Sequence, residues 1–187
     1  MRRALVIGVM FVAVVGMFGC GLQALIGVGF SHTGQVPYGS VIGQWGSFGV
    51  EAGIGTASRS HTQIGGSFTE IWYCVNGKYF LTLPVLGEAL QPYLGGGIVG
   101  VILNESMVVS GGTETVSASV VGGEVLGGLQ YSFASLGLPL VISGGASYMT
   151  VAELTVTYVD VDDQTTVYTL VLPSGGVGVH FGIHVAF

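Results

Sequence analysis

The C-terminal segment alternates strictly between apolar residues and residues that are small or polar. From Val177 to Phe187, valine, phenylalanine or isoleucine occupies every second position, and glycine, histidine or alanine occupies the positions between. This period of two predicts a β-strand, because successive side chains of a strand point to opposite faces. No downstream element follows to cover the apolar face, so we expect lipid to cover it.

Turn residues divide residues 22–187 into about eight such segments. Each is close to or longer than the roughly 9 to 11 residues that a tilted transmembrane strand needs. The polar stretch around Pro37 predicts a loop, and Asn76-Gly77 predicts a tight hairpin. Together these segments predict one all-β domain, an antiparallel up-and-down transmembrane barrel. Its expected strands cover residues 22–32, 48–55, 65–75, 78–86, 91–103 and 115–133, then a seventh after a turn at 134–137 and a last strand that ends at 187.

The composition also favours a membrane barrel. Charged residues make up 7% of the chain, against about 25% in soluble domains, and the mean hydropathy is +0.74. No apolar run beyond residue 21 resembles a transmembrane helix, so the hydropathy lies in short alternating segments, as in a barrel. A soluble lipocalin-like barrel is the alternative all-β fold, but its exterior should be charged.

The first 21 residues have the layout of a cleavable secretory signal helix. Met1-Arg2-Arg3 precedes the apolar run 4–18, and small residues follow at Gly19 and Gly21. A retained membrane helix is the competing interpretation, since about 20 residues span a bilayer. Lipidation at Cys20 is a further alternative, because residues 17–20 loosely resemble a lipobox. Export through this signal would place the protein in the outer membrane of a diderm bacterium.

The expected mature chain is strongly acidic. Removal of Arg2 and Arg3 leaves two basic and ten acidic residues, a formal charge of −8. This charge disfavours a nucleic-acid partner. With Cys20 lost or modified beside the signal, Cys74 has no intramolecular disulfide mate, and we expect it to pack as a small apolar group.

Sorting the predicted strands by their apolar faces places several acids inside the barrel. Glu51, Glu70 and Glu124 fall on the interior face, and Glu153 falls inward near a rim. This placement is physically reasonable, because a charge that faces lipid at mid-depth is costly. We therefore predict a polar cluster in the lumen.

Two models of that lumen remain open. In either model the cations Arg59 and Lys78 are expected in turns. In the first model the lumen is partly hydrated and acidic, and His180 and His184 donate hydrogen bonds to the inward glutamates. In the second, bulky residues including Trp72 and Met149 pack opposite the many inward glycines and leave no passage. Small eight-stranded barrels are generally filled by side chains.

The terminal alternation is also the most specific link to a known family. The residues Val179, Phe181, Ile183, Val185 and Phe187, with the signal sequence and about eight strands, resemble the small outer-membrane β-barrels of the OmpA, OmpX and opacity-protein type. The resemblance covers nearly all of the mature chain. It implies insertion by the barrel-assembly machinery, which would read those five residues. Members of this group are anchors, adhesins, recognition proteins or, less often, lipid-modifying enzymes, so the fold does not select the function.

Candidate catalytic and metal sites are weak, and we expect no cofactor. Four residues of strand separate His180 from His184 by about 13 Å, too far for one zinc ion. The acidic segment 160–163 lacks the glycine and final glutamate of an EF-hand loop. Ser31-His32, with Glu51 on the next strand, is the nearest approach to a hydrolase site.

We therefore expect a non-enzymatic protein with a structural or surface-interaction role, adhesion-like in character. Its outer loops are expected at residues 32–45, 103–115 and 159–166, where glycine, serine, threonine and acids dominate. The alternative is a narrow pore that favours cations because its wall is acidic. A lipid-modifying enzyme on the barrel wall has less support.

Overall fold

The chain forms a closed eight-stranded antiparallel barrel. A computed structural model describes residues 23–31, 36–60, 67–87, 89–109, 112–150, 156–159, 165–168 and 176–187. The strands around the barrel follow chain order, and the last strand pairs with the first, as predicted for an up-and-down barrel. The barrel strands are β1 (Gln23–Ser31), β2 (Val36–Trp45), β3 (Phe48–Ser60), β4 (Ser67–Phe80), β5 (Leu90–Val109), β6 (Gly112–Ser132), β7 (Leu140–Thr150) and β10 (Gly176–Ala186).

Two smaller elements complete the described structure. A short hairpin of β8 (Val156–Val159) and β9 (Thr165–Tyr168) lies in the connection between β7 and β10. Single 3-10 turns at Pro84–Leu86 and Ala134–Leu136 connect neighbouring barrel strands. Within the described ranges, no helix has the length and hydropathy to cross a bilayer.

The expected number of strands was correct, but two individual assignments were wrong. The stretch around Pro37 is strand β2, and Asn76-Gly77 lies in the middle of the continuous strand β4. Pro37 is tolerated because the β2–β3 ladder begins one residue later, at Tyr38, so the missing N–H removes no bond from that ladder. Asn76 and Gly77 pair on both sides with β3 and β5, so no turn forms there.

The two ends of the barrel differ in their connections. At one end lie a tight turn at Gly46-Ser47, the connections 81–89 and 133–139, and the terminal residue Phe187. Gly46 has φ 58°, a left-handed conformation that favours glycine. Short connections are typical of the periplasmic end of such barrels. The segment 103–115, predicted as an outer loop, is instead mostly strand, since β5 and β6 pair as far as Val109 and Gly112.

The outer wall of the barrel is apolar. On the last strand, the five predicted outward positions are 42–65% exposed. At the end with the short connections aromatic rings pack in pairs, Phe48 with Tyr79 and Tyr131 with Phe133. Membrane barrels have such aromatic girdles at the two membrane interfaces. Other exposed apolar residues on the barrel strands include Ile26, Val28, Val50, Ile54, Val75, Leu94, Ile98, Val121, Val125, Leu129 and Tyr148.

Candidate functional site: the barrel interior

Long side chains fill the barrel interior by lying across glycines of the neighbouring strands. Strand pairing places the row Tyr93, Gly128, Gly145, His180 around the inside wall. A side-chain carbon added at Gly128 would lie 2.7 Å from the Tyr93 hydroxyl oxygen, so this glycine provides the space for the tyrosine. The inward glycines noted in the sequence therefore accommodate their neighbours.

The centre of the interior contains a buried ion pair. Lys78 Nζ lies 2.7 Å from Glu51 Oε2, and the two side chains are 2% and 7% exposed. The same ammonium lies 4.6 Å from the centroid of the Tyr93 ring, within cation–π distance. The prediction that Arg59 and Lys78 lie in turns was wrong. The backbone of Arg59 belongs to β3, where it pairs with Phe68 of β4. β4 continues through Asn76-Gly77, and the alternation of that strand directs Lys78 inward. A cation in the lumen therefore pairs with one of the three carboxylates that the described part of the chain buries inside.

A second contact joins Glu124 to Asn76 across a glycine of the strand between them. Asn76, Gly97 and Glu124 are consecutive in one row across β4, β5 and β6. Asn76 Nδ2 donates a 2.9 Å hydrogen bond to Glu124 Oε2, so the bond passes over Gly97. A side-chain carbon at Gly97 would lie 2.6 Å from Asn76 Oδ1. Glu124 is therefore held by an amide rather than by a histidine.

The two histidines of the interior pair with hydroxyl groups. His180 Nε2 lies 2.5 Å from the Tyr93 hydroxyl oxygen, across Gly128 and Gly145. His184 Nε2 lies 3.0 Å from Ser40 Oγ, with Gly27 between the two residues in the row. The prediction that His180 and His184 bond to the inward glutamates was wrong. In each row, the glycines between the two residues leave space for the histidine to reach a hydroxyl group instead.

Toward the end opposite the short connections, the interior is filled by an apolar layer. Trp72 and Met149 pack there with Val36, Val99, Val101 and Leu103. Glu70 is 1% exposed and accepts a 3.0 Å hydrogen bond from Trp72 Nε1. This arrangement agrees with the second of the two lumen models, in which bulky residues pack opposite the inward glycines.

Further layers close the half that carries the short connections. Phe80, Tyr93 and Leu126 form one apolar cluster, and Leu25, Ile42 and Val141 form another. Below them, three glutamines join opposite walls. Gln44 Nε2 donates to Gln91 Oε1 at 3.3 Å, and Gln130 Nε2 donates to Gln44 Oε1 at 3.2 Å.

The polar layer between these clusters leaves little free space. A cavity of about 20 Å³ lies among Tyr38, Glu51, Cys74, Asn76, Glu124, Leu126 and His180. Such a volume accommodates about one water molecule, and Asn76 Oδ1 has no hydrogen-bond partner in the described structure. At the level of the ion pair, this cavity offers the partly hydrated lumen of the first model room for about one water molecule.

The interior also contains a serine–histidine pair, although not the predicted one. Ser40 and His184 are 4% and 1% exposed, and His184 Nδ1 has no partner among the described residues. A hydrolytic triad needs an acid at that nitrogen and access for a substrate. No group of three or more metal-ligating side chains occurs in the described ranges.

Several sequence predictions lie outside the described residues. These are the signal helix 1–21 with Cys20, the residues His32 and Glu153, and the acidic segment 160–163. Ser31 lies at the end of β1, but its side chain is also outside the description. Cys74 lies inside the barrel beside Gly53, half-buried.

Sequence reasoning missed Lys78, Tyr93, Asn76 and Ser40 as members of the polar interior. The unbroken alternation from Cys74 to Phe80 was a usable signal for two of them. It was overridden by the preference of Asn-Gly for turns. For Tyr93 and Ser40 only the register across several strands defines the partner, since each reaches a residue on a strand distant in sequence.

Comparison with known proteins shows a likeness in structure alone. No protein-family model matches the chain, and no curated protein sequence is similar to it. Among solved structures, a major outer-membrane protein from Thermus thermophilus aligns with a TM-score of 0.61 and 12% identity, over 89% of this chain and 99% of that one.

Two further solved structures show the same fold. Neisserial surface protein A aligns with a TM-score of 0.53 and 14% identity, over 89% of this chain and 96% of that one. Ail, the attachment invasion locus protein of Yersinia pestis, was solved with the heparin analogue sucrose octasulfate. It aligns with a TM-score of 0.51 and 16% identity, over 89% of this chain and 97% of that one. The chain therefore has the fold of the small eight-stranded outer-membrane β-barrels, the type that its terminal strand resembles.

Proposed function

We propose that the protein is an integral outer-membrane barrel with a structural or surface-interaction role and no enzymatic activity. The apolar wall, the aromatic pairs at one end and the fold it shares with outer-membrane proteins support the location. The filled interior favours a scaffold over a pore. The burial of Ser40 and His184 disfavours a lipid hydrolase.

The observation that carries the surface-interaction role is the length of β5 and β6. These strands contain 20 and 21 residues, about twice what a tilted transmembrane strand needs. The β6–β7 ladder begins at Gly123, whereas β6 begins at Gly112. The eleven residues 112–122 extend about 35 Å along the strand direction beyond that ladder. We call residues 104–117 the projecting hairpin, and propose that it stands outside the membrane and contacts other molecules.

The charge of the chain narrows the class of ligand. Ail was solved with a heparin analogue, which is a polyanion. Here Lys78 is one of two basic residues in the expected mature chain, and it is buried in the ion pair with Glu51. An uncharged or cationic partner therefore suits this protein better than a sulfated polysaccharide. The projecting backbone could bind such a partner by strand addition, a common mode of peptide recognition.

A shortened hairpin tests this role. Ser106 pairs with Thr115, so replacing residues 106–115 by Asn-Gly joins Glu105 to Val116 through a two-residue turn without changing the register. We expect cells that display the shortened protein to lose adhesion to epithelial monolayers and to surfaces coated with matrix proteins. Heat-dependent gel mobility should be unchanged. If the full-length protein confers no adhesion above the empty vector, the surface-interaction role is wrong and the structural role stands.

Insertion is the second part of the proposal. We infer that the signal helix 1–21 directs export and that the barrel-assembly machinery reads Val179, Phe181, Ile183, Val185 and Phe187. Cell fractionation, followed by gel electrophoresis of unheated and boiled samples, tests both the export and the insertion. Removal of residues 1–21 should leave unfolded protein in the cytoplasm, and Phe187→Ser should lower the heat-shifted band in outer-membrane fractions. A heat-shifted band in the soluble periplasm would contradict the proposed location.

A further inference from the structure

The apolar outer wall contains a groove of about 640 Å³ on strand β2. Strand pairing places Gly39 between Val28 of β1 and Ile54 of β3. Those two side chains are 69% and 54% exposed. They lie on either side of Gly39, which has no side chain to fill the space between them. A side-chain carbon added at Gly39 would have no neighbour closer than 3.9 Å. The groove is therefore open and one side chain wide, with ridges about 10 Å apart.

The floor of the groove is closed toward the lumen. It is formed by the backbone around Pro37 and Gly39 together with Gly29 and Gly55. Behind it, the ring of Tyr38 lies inside the barrel, 3.0 Å and 3.2 Å from the positions that side-chain carbons would take at Gly29 and Gly53. The groove is thus a binding surface on the wall and not a passage into the interior.

Position and chemistry identify what the groove can hold. Pro37 is the second residue of β2 at the end away from the short turns, so the groove lies in the outer half of the wall. Its ridges continue into the apolar belt through Phe181 and Ile183, and none of its lining residues is charged. A ligand here is held by its hydrocarbon part, and the groove opens directly onto the lipid that surrounds the barrel.

We propose that this groove, the β2 groove, holds one acyl chain of an outer-leaflet lipid. In a bilayer there is no hydrophobic driving force for moving an acyl chain from the surrounding lipid into the groove, because lipid tails are as apolar as the wall. Retention comes instead from van der Waals contact on three sides, which a flat wall cannot offer. The inference rests on the proposed membrane location.

The test compares two substitutions of outward glycines. Gly39→Leu fills the β2 groove. Gly77→Leu is the control, because Gly77 also lies on the outer face, between Val50 and Gly96, and has no neighbour closer than 3.8 Å. Each protein is inserted into nanodiscs of palmitoyl-oleoyl phosphatidylcholine, and native mass spectrometry measures the ratio of lipid-bound to lipid-free protein. We expect Gly39→Leu to lower that ratio about fivefold, and Gly77→Leu to leave it within a factor of about two.

The outcomes separate the groove from the location. Equal lipid retention by wild type and Gly39→Leu overturns the proposal, and so does an equal loss with Gly77→Leu. A dimer in the wild type that disappears in Gly39→Leu also overturns it, since the occupant is then a second copy. Gly39→Ala should give an intermediate ratio if the leucine variant lacks the heat-dependent gel shift. Failure of the wild type to insert refutes the membrane location itself, whereas inserted wild type without bound lipid refutes the groove alone.

Discussion

The buried pair of Lys78 and Glu51 should be strongly coupled in stability. We consider Lys78→Met, which keeps most of the side-chain volume, Glu51→Gln, and the double variant. In the wild type the two charged groups lie 2.7 Å apart. Each single substitution leaves the remaining charge buried without its partner. The double variant leaves no charge at either position.

The expected magnitudes follow from the burial of both groups. Removal of one partner of a buried ion pair costs about 3–5 kcal/mol, whereas replacing both with neutral groups is often close to neutral. Lys78→Met additionally loses the contact with the Tyr93 ring, about 0.5–2 kcal/mol. We therefore expect the double variant to lose less stability than the sum of the single variants, by about 2 kcal/mol or more.

Urea unfolding in detergent micelles measures this coupling. With a slope of about 2 kcal/mol per M, each single substitution should lower the midpoint by about 2 M. Tryptophan fluorescence and heat-dependent gel mobility provide two independent signals. Glu124→Gln is the control, since a glutamine oxygen still accepts the bond from Asn76 Nδ2, and its cost should be smaller than that of Glu51→Gln.

Additive losses would refute the reasoning. If the double variant is destabilised by the sum of the two single effects, Lys78 and Glu51 do not interact in the folded barrel. Equal costs for Glu51→Gln and Glu124→Gln would show that any buried carboxylate behaves alike here, and that the ion pair has no special role.

Three further predictions follow from the interior. Tyr93→Phe removes the hydroxyl that pairs with His180 and should cost about 1–3 kcal/mol by urea unfolding, whereas Tyr79→Phe on the wall should change little. Gly97→Ala should lower the free energy of unfolding by about 1–3 kcal/mol, because the added methyl group meets the Val75 carbonyl oxygen and Asn76. Gly77→Ala should be tolerated, and equal effects of the two substitutions would contradict the packing. The wild-type protein in planar lipid bilayers should show no steady ion current, and a stable ohmic conductance would contradict a filled interior.

The sequence by itself determined the class of fold and the faces of its best-marked strands. Alternation on β3, β6 and β10 identified the residues that the structure exposes on the outer wall, because alternate side chains of a strand lie on opposite faces. The same rule placed Glu51, Glu70 and Glu124 inside, where the structure buries all three. These conclusions need only local periodicity and the cost of a charge in lipid.

Local signals misled where the ladder outweighed intrinsic preference. Asn76-Gly77 favours a turn in isolation, but pairing with β3 and β5 on both sides satisfies its backbone within β4. Pro37 favours a loop, yet it fits a strand at the end of a ladder. The two errors offset each other in the strand count, because one strand was missed and another was divided.

Only the tertiary structure decided which polar groups meet. Tyr93 and His180 are 87 residues apart in the chain, and Ser40 and His184 are 144 apart. The Tyr93–His180 pair forms because the register across β5, β6, β7 and β10 places both residues in one row, and the Ser40–His184 pair forms across β1, where the barrel closes. In both rows, glycines on the intervening strands leave room for the longer side chain. The register of β2 with its two sequence neighbours places Gly39 between Val28 and Ile54 and so creates the β2 groove. Periodicity gives the face on which a residue lies, but the register between strands determines its neighbours.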